Sequence, residues 1–119
     1  MKKILWISRH TMTPDQRSDL ERVLNDAVEV AQFTETVKNT NDLKPFVDDA
    51  DVICAVLPID KLSELMDICG GKPVLQAKSK RVATGKEVVS PNGTKEKEFA
   101  FVHDGWRRML EVKIRYEDL

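Results

Sequence analysis

The stretch Asp51-Val52-Ile53-Cys54-Ala55-Val56-Leu57, closed by Pro58, decides the fold. Its apolar residues run without polar alternation, which predicts a strand covered on both faces, as in a parallel sheet. Such a strand needs crossover helices on either side, and its flanks provide them. Downstream, Asp60 stands where a helix cap belongs, and Leu62, Leu65, Met66 and Cys69 recur at helical spacing. Gly70-Gly71 then supplies a left-handed stop, and Val74-Leu75-Gln76-Ala77 begins a further strand. Upstream, Leu43, Phe46, Val47 and Ala50 form a second helical stripe, with Pro45 confined to its first turn because it would break the ladder deeper inside.

The same alternation continues to the start of the chain. Ile4-Leu5-Trp6-Ile7 is another unbroken apolar run. Thr13-Pro14-Asp15-Gln16 combines a capping threonine, a proline suited to the first helical position and a glutamine that completes a capping box. Leu20, Val23, Leu24 and Ala27 give that helix one apolar stripe, and Val28 to Phe33 reads as the next strand. The resulting βαβαβαβ order predicts an α/β domain with a Rossmann-like parallel sheet of strand order 2-1-3-4, since right-handed crossovers place helices on both faces.

Beyond residue 83 the pattern changes. Ser90-Pro91-Asn92-Gly93 is a turn signal between extended stretches. Phe99 and Phe101 alternate with smaller neighbours. Leu110, Val112, Ile114 and Tyr116 alternate with charged residues, which predicts a half-buried antiparallel strand. The expectation is a single domain over 1–119, with a core at 1–83 and an antiparallel hairpin extension at 84–119.

Composition narrows the class. The 119 residues are 41% hydrophobic and 33% charged, with a formal net charge of −1. That excludes collagen-like repeats, disordered chains and proteins that coat polyanions with their whole surface. No apolar run approaches the roughly twenty residues of a membrane span or the length of a secretory leader, and Cys54 and Cys69 sit in apolar segments without metal or redox spacing. A cytoplasmic protein with reduced cysteines and no membrane partner is expected.

In open α/β sheets ligands bind beyond the carboxyl ends of the strands. Four segments follow those ends: Ser8-Arg9-His10-Thr11, Thr34-Glu35-Thr36, Leu57-Pro58-Ile59-Asp60 and Lys78-Ser79-Lys80-Arg81. The first and last are basic and rich in hydroxyls, which suits a phosphate-bearing ligand. From Lys72 to Lys97 there are seven basic and two acidic residues, against seven acidic and two basic from Asp42 to Asp67. His10, directly after a buried strand, is placed to exchange a proton near neutral pH. His103 reads as part of a turn, and Trp6 and Trp106 as core anchors. There is no G-x-G-x-x-G after the first strand and no P-loop. With only His10 and His103 and no paired ligand spacing, neither a metal nor a cofactor is expected.

Arg9-His10, with Val102-His103-Asp104-Gly105, is similar to the histidine segments of histidine phosphatases, but Thr11 stands where that family has glycine. A broader similarity covers about residues 3 to 85. The opening strand with its Ser8-Arg9-His10 loop and Thr13-Pro14-Asp15-Gln16 helix start, the strand ending Leu57-Pro58, and the basic segment from Gly71 to Arg81 resemble small CRISPR-associated proteins of the ring-nuclease kind. The resemblance implies binding of cyclic oligoadenylate, a phosphorylated nucleotide ring, in antiviral defence, by a homodimer matching the two-fold symmetry of the ring. It further implies metal-independent phosphodiester cleavage. The ribose 2′-hydroxyl of the substrate would be the nucleophile, with Ser8, Arg9 and His10 as catalytic residues. Thr11, Thr34, Asp60, Lys78, Ser79, Lys80 and Arg81 would hold the ligand. At this level enzyme and binder remain alternatives, as does a non-enzymatic module, of bacterial or phage mobile-element origin, that docks a protein or a nucleic acid.

Overall fold

The computed structural model describes residues 1–119. The chain runs β1 (Lys2–Ile7), α1 (Pro14–Leu24), β2 (Val28–Phe33), a 3-10 turn (Thr40–Leu43), α2 (Lys44–Asp48), β3 (Val52–Ala55), α3 (Ile59–Ile68), β4 (Val74–Val89) and β5 (Lys95–Arg108). The strands form one mixed sheet of order β2-β1-β3-β4-β5. β2, β1, β3 and β4 are parallel in the expected order, and β5 pairs antiparallel with β4.

Period-two alternation divides β1 between two cores, because successive side chains leave opposite faces of a strand. Leu5 and Ile7 join Ile53, Ala55, Val74 and the helix residues Leu43, Val47, Leu62 and Leu65 on one face. Ile4 and Trp6 join Leu20, Val28, Val52, Cys54 and Leu75 on the other. The first face lies under the 3-10 turn, α2 and α3, whereas α1 alone covers the second. Thr13 caps α1 with the expected reciprocal box, and Gly70 and Gly71 take the expected positive φ after α3.

Five expectations are corrected. Lys78-Ser79-Lys80-Arg81 is not a loop, because β4 continues through it to Val89. No proline, glycine or asparagine interrupts the backbone between Leu75 and Thr84, and β5 offers a partner along that length. The antiparallel ladder therefore begins at Leu75 rather than after residue 83. His103 lies within β5, not in a turn. Leu110 to Tyr116 forms no strand, and Leu110 and Tyr116 are exposed. The ladder runs out when the Met109 amide donates to the Val74 carbonyl at the start of β4 (2.8 Å), and alternation without a partner strand makes no sheet. Finally, α1 ends at Leu24 with Asn25 in the left-handed region (φ 51°), which leaves Ala27 outside the helix, and Val23, though within it, is exposed.

The β4–β5 hairpin extends well beyond the body. From Lys78 to Val89 its side chains are exposed or half-buried. The radius of gyration is 17.4 Å, against about 13.5 Å for a compact chain of this length. No helix is long and apolar enough to cross a membrane.

Candidate functional site

The carboxyl ends of β1, β2 and β3 meet at one edge of the sheet, where the strand order reverses between β1 and β3. A ligand crevice belongs at such a point. The edge is tied together by its backbone: the Ser8 amide donates to the Phe33 carbonyl (3.1 Å) and the Val56 amide to the Ile7 carbonyl (2.9 Å). A crevice of about 340 Å³ opens there, walled by Ser8 and Arg9 from the loop after β1, Glu35 and Thr36 from the loop after β2, and Asp60 and Lys61 from α3.

Each wall has a local cause. Ser8 is buried, and its hydroxyl accepts from the His10 amide (3.1 Å), tightening the turn that sends Arg9 outward. An Arg9 guanidinium nitrogen donates to the Thr36 hydroxyl (2.5 Å), bridging the loops after β1 and β2. Pro58, and not Asp60 as expected, takes the cap position of α3, with Asp60 inside the first turn; proline offers no side-chain acceptor, so the amides of that turn have no intrahelical acceptor and no cap. α1 differs: Thr13 satisfies the Gln16 amide, and Pro14 has none to satisfy. The open positive helix end is therefore the one beside the crevice. Lys61 lies within 3.6 Å of Glu64 and donates to the Lys38 carbonyl (3.3 Å). Two cationic and two carboxylate side chains thus share the walls.

Of the sequence-derived candidates, Ser8, Arg9 and Asp60 line this crevice. His10 does not. Its carbonyl accepts from the Trp6 indole (2.7 Å) and the Gln32 amide (3.0 Å), which fixes its backbone while the residue stays exposed. Thr11 and Thr34 are exposed and lie off the crevice wall. Lys78, Ser79, Lys80 and Arg81 are carried up the hairpin instead. Glu35, Thr36 and Lys61 join the wall. The signal for Lys61 was its place one residue beyond Asp60 in the first turn of α3; Glu35 and Thr36 stand directly after β2.

A second polar cluster seats α1 on the base of the hairpin. The His103 Nε2 lies 2.8 Å from an Asp19 carboxylate oxygen, and the Trp106 indole donates to the Gln16 carbonyl (3.0 Å). The hydrogen bond from His103, and then that from Arg22, hold the Asp19 carboxyl below the ordinary carboxylate range. His103 Nδ1 is buried without a partner. Trp106 meets Trp6 edge-to-face at 6.0 Å, so both indoles anchor packing. No cluster of three or more His, Cys, Asp or Glu is gathered to hold a metal ion.

No family model, curated protein or solved structure matches the chain.

Proposed function

We propose that the chain is a Rossmann-like binding domain whose strand-end crevice takes a phosphorylated nucleotide. The observation that carries this reading is the meeting, at the reversal of strand order, of an uncapped helix end with Arg9, Lys61, Glu35 and Asp60 around one crevice. Arg9, Lys61 and the α3 amides suit phosphate oxygens. A carboxylate just after the second strand suits ribose hydroxyls. Balanced wall charges favour a ligand with both groups over inorganic phosphate.

Cyclic oligoadenylate has both, and the resemblance drawn from the sequence makes it the first ligand to test, with a homodimer presenting two crevices to one ring. Binding is the better supported half of the proposal. Cleavage needs His10 to swing its exposed ring to the crevice, with Ser8 orienting a phosphate and Arg9 stabilising developing charge. Calorimetric titration with cyclic tetra-adenylate, cyclic hexa-adenylate and linear adenylates tests it. Micromolar binding of at least one nucleotide is expected. Arg9→Ala should weaken that binding about tenfold or more, as for loss of one charge-assisted hydrogen bond. Absence of binding to every nucleotide, or binding indifferent to Arg9→Ala, overturns the proposal. Chromatography of the same mixtures in EDTA reads cleavage, which His10→Ala should abolish.

A further inference from the structure

The hairpin carries a chemistry unrelated to the crevice. Directly paired residues of an antiparallel ladder project to the same side, and next-but-one residues share that side. The register pairs Arg81 with Phe101, Ala83 with Phe99 and Glu87 with Lys97. One face therefore bears Arg81, Lys95, Lys97, Phe99 and Phe101, with Glu87 as its one carboxylate, paired with Lys97. The opposite face bears Glu96, Glu98 and Asp104, together with Lys80. The contacts agree: the Arg81 guanidinium stands 4.1 Å from the centre of the Phe99 ring. On the other side Thr84 donates to the Glu98 carboxylate (2.9 Å) and Lys80 lies 3.8 Å from Asp104.

The rings stay accessible to solvent, Phe99 with the Arg81 guanidinium over it. Phe101 is 75% and Phe99 42% exposed. Ala83 is too small to cover Phe99, and α1 covers this face only as far as His103, which Asp19 holds. Two rings two residues apart lie roughly 6.6 Å apart along the strand, a spacing suited to successive bases. The order Lys97-Glu98-Phe99-Ala100-Phe101-Val102 is similar to the basic, glycine, aromatic, small, aromatic, aliphatic order that lets RNA-binding sheets stack bases. It departs at Glu98, where those sheets carry glycine, and at Asp104, where they carry a further aromatic. Protein interfaces are depleted in lysine, whereas cations bracket these rings. A duplex hides the faces of its bases.

We infer that this face binds single-stranded nucleic acid, with bases stacked on Phe101 and Phe99 and backbone phosphates held by Arg81, Lys95 and Lys97. The site is independent of the crevice, so either can fail alone.

Fluorescence anisotropy with labelled oligo-adenylate and oligo-uridylate RNA, their DNA equivalents and a duplex tests it. The single strands should bind and the duplex should bind more weakly. Phe101→Ala should weaken binding by about 5- to 150-fold, the range for loss of one base–aromatic stack. Lys97→Gln should reduce the salt slope by about 0.7. Val102→Ala, on the opposite face, should leave affinity unchanged, and unaltered melting of Phe101→Ala shows that folding is retained. The inference is overturned if no single strand binds, if the duplex binds equally well, or if Phe101→Ala and Val102→Ala have equal effects. It is also overturned if sedimentation shows that Phe101→Ala dissolves a dimer while leaving oligonucleotide affinity intact.

Discussion

Leu20 is the only side chain of α1 that is fully buried, at 0% exposure. It packs into the core face that α1 alone covers, beside Ile4, Trp6 and Leu75. Leu20→Ala removes the buried isobutyl group and leaves a cavity that sheet residues on a rigid ladder cannot readily fill, for a loss of about 3 kcal/mol. Unfolding entropy of about 2.1 cal/mol/K per residue, summed over the chain, converts this to a fall in Tm of about 12 °C. Val23→Ala is the comparison. The sequence stripe places Val23 beside Leu20, but Val23 is 43% exposed, so its truncation should stay within about 0.5 kcal/mol, or about 2 °C. Both values are read by differential scanning calorimetry with urea titration as a check on two-state behaviour. Comparable losses for the two variants, or a Leu20→Ala shift below about 4 °C, would refute this account of how α1 is held.

Two further outcomes follow from the polar and thiol groups. Because the Asp19 carboxyl is held below its ordinary value, its contribution is present above about pH 3.9 and lost as pH falls through its lower folded value. Asp19→Asn should therefore be less stable than wild type at pH 7 by urea midpoint, with the gap closing at the acid end; a gap independent of pH would contradict the assignment. Burial pushes the Cys54 thiol up to about 12 and raises that of Cys69. Neither should react with a disulfide reagent at pH 8 in the native state, whereas both should react promptly in guanidinium; fast native labelling would contradict the packing.

The amino-acid sequence alone determined the features that depend on neighbours along the chain. The unbroken apolar run at Val52–Ala55, the Thr13–Gln16 box and the Gly70-Gly71 stop are local devices, and each fixes an element wherever the sheet lies. Apolar runs alternating with helical stripes also set the parallel order, because crossover handedness leaves few ways to close such a sheet. Ser8, Arg9 and Asp60 were legible as crevice residues for the same reason: they follow strand ends, and strand ends share an edge. Tertiary structure alone decided the rest. Whether Lys78–Arg81 turns or continues depends on β5, whose partners for Ser79, Lys80 and Arg81 are His103, Val102 and Phe101, far along the chain. Leu110–Tyr116 carries the alternation of a strand but finds no partner. Val23 fits the stripe, yet only Leu20 fits the sheet. The sorting of Arg81, Lys97 and Phe101 from Glu98 required a pairing register. A strand is defined by backbone partners and a face by what packs on it, and both are supplied by residues distant in the chain.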